Sequence, residues 1–404
     1  LPTHWHRAAQ IAAVALSVLA VGLSAAPAPA HDRSSERIHE VDPSGGPGDR
    51  IGLDGGCADG TAAPGITTAA AEGVALACTA GSGKVLPNEV WPGGASVTEA
   101  DTANLFGGNL SGLSFESTDV LWAVNNGPAK LYRLVPDGPL WSPDKGGWSS
   151  GKALRYATGS AEPDAEGVVV TPDGLFVSTE GDNGQLGTGT PKILRFDASS
   201  TASSLTATGE WNVSSDLPSV PANKGLEGIV WIPDTFLTSQ GFRDERTAAL
   251  YDPASYPGHG TGLFFTGLET SGTIYAYALD LSGGGFTRVA SFDSGLLSVM
   301  AMEWEPATGR LWAACDNHCQ GGMTTLGINA QGQFAATHAY DRPIGLPDYN
   351  HEGFAIAPQA ACIGGQKPVI WADDKNNGGH ALRAGTLDCT GPVTSGAGSG
   401  AGAR

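Results

Sequence analysis

With 404 residues, 59 of them glycine, 16% charged residues and a formal net charge of −19, the chain is long enough for one large or two ordinary domains. Its bulk field repels nucleic acid and anionic lipid, and it repels a polyphosphorylated substrate unless bound cations reverse the field locally. Short apolar runs broken by Gly, Pro, Asn and Asp dominate, which is the pattern of an all-β protein.

In chain order, residues 1–30 read as a signal peptide. Arg7 precedes the apolar run "IAAVALSVLAVGL", and the small residues "SAAPAPA" place cleavage after Ala30. The run is short for a membrane span, which needs about 20 residues, and no later segment is apolar enough. A secreted, monomeric protein without stable membrane insertion is therefore expected. Residues 31–60 are polar and Gly-rich, a loose arm; 61–393 form the folded domain; "TSGAGSGAGAR" closes the chain as a flexible tail over 394–404. Six cysteines allow fifteen pairings. Nearness along the chain favours Cys57–Cys78, Cys315–Cys319 and Cys362–Cys389 as disulfides, and the zinc reading of "CDNHC" over 315–319 is disfavoured in an oxidising compartment.

The folded domain carries a repeat. "SGLSFES" (111–117), "EGVVVTP" (166–172), "EGIVWIP" (227–233), "MAMEWEP" (300–306) and "EGFAIAP" (352–358) each set a tiny residue at the second position of an apolar strand. A turn and a second strand follow: "VLWAVNNG" (120–127), "LFVSTEGD" (175–182), "TFLTSQG" (235–241), "RLWAACDN" (310–317) and "PVIWADDKNN" (368–377). A propeller blade takes about 40–50 residues, so these units read as blades with insertions. The fold class is an all-β β-propeller, with five blades by repeat count; a sixth is left open if 75–100 and C-terminal strands make another sheet.

First strands line a propeller's channel. Gly112, Gly167, Gly228, Ala301 and Gly353 would then admit close backbone approach. The residues before them gather at one mouth, and three are Glu166, Glu227 and Glu352. Like charges in that position repel and raise each other's pKa. A ring of hard oxygen ligands suits Ca²⁺; the competing role is a staple to backbone amides of the neighbouring blade. Ser111 adds only a hydroxyl, and Met300 leaves the ring incomplete. Second strands return to the same face and end in Asn125 and Asn126; Glu180 and Asp182; Gln240 and Arg243; Asp316, Asn317 and His318; and Asp373, Asp374, Lys375 and Asn376, with His351 on the same rim. Such an acid-rich face with a few cations fits metal binding and hydrolysis.

In order, "NLSGLSF...LWAVNNG", "DAEGVVVTPDGLFVSTEGD", "NKGLEGIVWIPD", "TIYAYALD" and "NHEGFAIAP...IWADDKNN" resemble the phytase-like family, also called esterase-like activity of phytase, from about Asn109 to Asp388. The resemblance implies a propeller, phosphoester or ester hydrolysis and Ca²⁺. It matches Glu166, Glu227 and Glu352 to the family's acid-glycine positions, and Glu180 and Asp373 to its strand-end acids. Under this reading Glu166, Glu227, Glu352 and Asp373 hold metal, Glu180 or Asp182 is the base, Arg243 or Lys375 contacts phosphate, and His318 and His351 complete the catalytic rim. The substrate is a small phosphoester or ester. A non-catalytic propeller gripping a glycan, peptide or protein is the alternative, as is sugar-lactone or sugar-oxidation chemistry. No G-x-S-x-G nucleophile elbow or dinucleotide fingerprint occurs.

Overall fold

A computed structural model describes residues 86–159, 161–184 and 189–390. They lie in the unit Thr79–Arg404; the proposed signal peptide, the arm and tail, and the Cys57–Cys78 pair fall outside them.

The repeat builds five antiparallel sheets. Blade 1 runs Leu110–Ser117, Val120–Asn125, Lys130–Asp137 and Lys152–Arg155 from the axis outward. Blade 2 runs Pro163–Thr171, Gly174–Asp182, Lys192–Phe196 and Gly209–Asn212. Blade 3 runs Leu226–Pro233, Gly262–Leu268, Thr273–Leu279 and Phe286–Asp293. Blade 4 runs Ala301–Glu305, Arg310–Ala314, Met323–Ile328 and Phe334–Tyr340. Blade 5 runs His351–Ile356, Gln366–Asp373 and Leu382–Asp388. Each first strand contacts the first strand of the next blade, and blade 5 returns to blade 1, so the ring is closed.

Two short N-terminal strands complete the outer edges. Asn88–Glu89 adds in parallel to Phe334–Tyr340 of blade 4, and Thr98–Glu99 supplies the fourth strand of blade 5 against Leu382–Asp388. These residues patch existing sheets and build no sixth blade, which settles the count at five. Ser204–Thr206 likewise leaves the blade 2 sequence to pair with Lys152–Arg155 of blade 1. Such pairings cover sheet edges that would otherwise leave backbone donors and acceptors open. Apolar clusters fill the spaces between blades. Between blades 4 and 5, Trp91 packs on Trp312 and Trp371 at 5.8 and 5.6 Å between ring centroids. Fully burying an apolar side chain of this kind contributes about 1.5–3 kcal/mol.

Blade 3 corrects one expectation. "TFLTSQG" is no second strand: Asp234–Ser239 is a short helix that buries Leu237 and sets Phe236 against Trp304 at 4.6 Å. The pairing beside Leu226–Pro233 goes to Gly262–Leu268, "GLFFTGL", all seven residues of which are buried. A strand that buries every residue outcompetes a segment that can bury only part of itself. Cys315–Cys319 and Cys362–Cys389 are disulfides, with Cα–Cα distances of 5.7 and 6.0 Å. Among the described residues no helix is long and apolar enough to cross a membrane.

A buried carboxylate centre at one mouth of the channel

The acid-glycine pair is a β-bulge. In blade 2, Ala165 pairs with Thr179 and Gly167 with Ser178, so Glu166 has no partner of its own. In blade 5, His351 pairs with Asp373 and Gly353 with Ala372, leaving Glu352 extra. In blade 3 the register likewise shifts between Leu226 and Ile229, around Glu227 and Gly228. A bulge bends the strand and re-aims the side chain it carries. Here it turns three glutamates out of the ladder and toward one another.

The glycines work at the hub. A Cβ on Gly112 would meet the Glu166 carbonyl and Gly167 of blade 2; one on Gly167 would meet the Glu227 carbonyl, Ser178 Oγ and the Ile229 nitrogen; one on Gly228 would meet Met302 of blade 4. Blade-to-blade stapling also falls to serine. Ser111 Oγ donates to the Glu166 carbonyl at 2.8 Å and Ser178 Oγ to the Glu227 carbonyl at 2.5 Å. The main chain of the glutamates is thus stapled, and their carboxyls remain available.

Those carboxyls form one buried centre. Oxygens of Asp164, Glu166 and Glu180 lie within 4.8 Å of one another, as do those of Glu180, Glu227 and Glu269. Glu180 links the two groups, and its Oε1 accepts from the Gly225 nitrogen at 2.5 Å. Asn126 Nδ2 donates to Glu166 at 3.3 Å, and Asn350 Nδ2 to Glu352 at 2.8 Å. Burial, then the charges of Glu180, Glu352 and Asp164, push the Glu166 carboxyl well above the usual carboxylate range. Glu227 rises for the same first reason, then through Glu166, Glu180 and Glu352. Glu352 rises through burial and then Asp374, opposed by Lys375. Burial pushes Glu180 up to about 7 and Asp164 up to about 6. Carboxylate oxygens of Glu180 and Glu227 lie within 4.8 Å of each other, a proximity that favours a proton on one of them when no cation is present.

The residues fit a hard divalent cation. Glu227 Oε2, Glu352 Oε2 and Thr179 Oγ1 are buried without a hydrogen-bond partner. The donor set is carboxylate oxygen, the chemistry Ca²⁺ takes. Of the nearby ammonium groups, Lys224 pairs with Glu269 at the edge of the centre and Lys375 with Asp374 beside it, each at 2.8 Å.

The remaining expected residues stand outside the carboxylate cluster. Asp373 is fully buried, but its carboxylate accepts from the nitrogens of Lys375 and Asn377 and from Asn377 Nδ2, closing its own loop. Asp182 caps Gly184 in the loop after its strand. Lys375 stands at the rim, 66% exposed, beside Asp374. His351 is buried with Nε2 unpartnered; burial, then Arg383 and Arg342, push it down to about 3, so it is neutral. His318 is 76% exposed and bonds only its neighbour Asp316 among the contacts described. Arg243 and Gln240 belong to the blade 3 insertion. Arg243 donates its backbone N–H to Gly332 in the hairpin between Met323–Ile328 and Phe334–Tyr340, at the face opposite the glutamates. The cause is the misplaced second strand: the true one ends at Leu268, bringing Glu269 to the site. Glu269 was visible as the acid closing "GLFFTGLET", the counterpart of Glu180 closing "LFVSTE". Asp164 was visible two residues ahead of Glu166.

Fold and site together define a five-bladed propeller with a buried carboxylate centre at one mouth of its channel. Residues 105–300 match the family model described as "Phytase-like: Esterase-like activity of phytase", so that stretch is similar to the phytase-like family. The match spans Glu166, Glu180, Glu227 and Glu269 and ends before Glu352. No curated protein matches the chain significantly. Similar solved structures include Myxococcus xanthus glutaminyl cyclase (11% identity, TM-score 0.39, 72% of this chain and 93% of that one). A putative gluconolactonase (11%, 0.36, 74% and 96%) and a Lactobacillus plantarum protein (14%, 0.35, 66% and 77%) are others. Likeness at these TM-scores bears on no activity here.

Proposed function

We propose that the protein is a secreted, Ca²⁺-dependent hydrolase of small phosphate esters or related esters, working at the carboxylate mouth. The observation that carries this reading is the convergence of Asp164, Glu166, Glu180, Glu227 and Glu352 from three blades, with two of their oxygens buried and unpartnered. The family description supports ester chemistry. The leader-like segment at 1–30 and the two disulfides support export.

A bound cation supplies positive charge that neutralises a phosphoryl or acyl oxygen and acidifies a water. Glu166, Glu227 and Glu352 would hold it, with Asp164 and Glu269 at the edges. Glu180, whose burial raises it to about 7, would in its ionised form take the proton from the attacking water and return it to the departing alcohol oxygen as the ester bond breaks. Asn126 and Lys375, at the rim, orient the substrate's anionic oxygens. Arg243 has no part, since it stands at the other face.

A structural ion in a non-catalytic, ligand-gripping propeller is favoured by a separate observation. The cavity beside Glu352 measures only about 10 Å³, room for about one water, while the cavities of 730 and 360 Å³ are lined by none of the residues of the carboxylate centre. Phosphate release from p-nitrophenyl phosphate and phytate, and p-nitrophenol release from its acetate, distinguish the two. Turnover that needs Ca²⁺ and falls at least tenfold in Glu180→Gln supports the hydrolase. Chelator-sensitive melting without turnover of any of these substrates overturns it in favour of the structural ion.

A further inference from the structure

The opposite mouth of the channel holds a second site. Past the constriction at Met300 and Met302, a cavity of about 360 Å³ opens, lined by first-strand residues of all five blades. Its volume lies in the range of small-molecule pockets. Its walls include Phe115 of blade 1, Trp231 of blade 3 and Ile356 of blade 5.

Three ionisable groups reach this cavity, and two of them cancel. Lys367 Nζ lies 2.6 Å from Glu305 Oε1, with side chains 1% and 3% exposed. Glu305 Oε2 also accepts from Trp312 Nε1 at 3.1 Å and Thr308 Oγ1 at 2.6 Å, so its demand for donors is met. Glu303 is left over. It is partly buried and lines the cavity. Burial pushes its carboxyl well above the usual range; the Lys367 charge opposes this, Glu305 reinforces it, and the Ile356 backbone N–H gives slight relief. A carboxyl in such a pocket is held neutral while the pocket is empty, and a cation entering beside it would let it ionise and form a charge-assisted pair. The strongly acidic chain draws cations toward the pocket.

We propose that this mouth binds a small organic cation, an ammonium or amidinium on an apolar body, with its charge on Glu303 and its body against Trp231, Phe115 and Ile356. Trp231 adds a π face for the cation or for the ring that carries it. The site is independent of the carboxylate centre, which the constriction separates from it.

The test uses the intact protein and tryptophan fluorescence or calorimetry, with 2-phenylethylammonium, 2-phenylethanol and phenylacetate as probes. The ammonium should bind about tenfold or more tightly than the alcohol, and the carboxylate weakest. Glu303→Gln should remove that preference while leaving alcohol binding, Ca²⁺ binding and any turnover at the other mouth unchanged. Equal affinities for the three probes in the native protein, preference for phenylacetate, or no binding by any of them overturns the proposal without recourse to a variant. A folded Glu303→Gln variant that keeps the ammonium preference overturns it as well.

Discussion

Blade 4 and blades 2, 3 and 5 solve the same closure problem with different first residues. In blade 4 the ladder runs unbroken from Ala301 opposite Ala314 to Glu305 opposite Arg310, and the place of the glutamate is taken by buried Met300. The hub still closes around it. A small second residue is therefore what closure requires, and the acid is not. Burying three glutamates together raises their protonation cost through desolvation and mutual repulsion, a cost that blade 4 shows the fold does not need. The acids are therefore not accounted for by closure, which leaves them to the cation site proposed above.

The sharpest break between the two roles is at Gly167. Gly167→Ala drives a methyl into the Glu227 carbonyl and Ser178 Oγ; it should destabilise the protein by about 3 kcal/mol, read from urea unfolding. Glu166→Gln, one residue away, should fold with at least native stability in chelator, because it removes a buried ionisable group. A loss comparable to that of Gly167→Ala would return the glutamates to a structural role.

Proton linkage gives the next effect. Glu180 has a folded pKa of about 7 against an ordinary 4.5, so between these values the folded state holds more protons than the unfolded one. That contribution is complete below about pH 4.5 and is lost as pH rises through about 7. For Glu180 alone it amounts to roughly 3 kcal/mol. In chelator, melting temperature should fall over this window; saturating Ca²⁺, replacing the protons, should flatten the fall. A pH-independent melting temperature in chelator contradicts the buried centre.

Saturating Ca²⁺, at about 100 times its dissociation constant, should raise melting at pH 7.5 by about 5 °C. The double variant Glu180→Gln, Glu227→Gln should lose the rise, whereas Met300→Leu in blade 4 should keep it. Arg243→Ala is the smallest effect: within about 0.5 kcal/mol in stability and no change in Ca²⁺ response or turnover, since its side chain serves the Ala248 carbonyl at the far face. A Ca²⁺ response altered by Arg243→Ala would mean the two faces are coupled.

The repeat was legible because hub packing leaves a local mark, a tiny residue two places into every first strand. The meeting of Glu166, Glu227 and Glu352 followed from it. The bulge was not read, although Gly within a strand pattern signals one. Asn88–Glu89 and Thr98–Glu99 are two residues each, too short for any periodicity, so their addition to the outer edges of blades 4 and 5 was invisible. Blade 3 misled because residues 234–261 interrupt its first hairpin; "TFLTSQG" stood where a second strand belonged, which hid Glu269 and misplaced Arg243 and Gln240. The pocket at Glu303 was hidden because Met300 and Ala301 drew attention to what blade 4 lacks at one mouth, and its charge lies at the other.

The central claim is that bulged glutamates from separate blades converge to hold a cation. Calorimetric titration of Ca²⁺ into metal-free protein, native and Glu227→Gln, tests it most directly. Saturable binding in the native protein that is lost in the variant, with both folded, is the predicted result. No binding to the native protein, or the same isotherm in both, contradicts it.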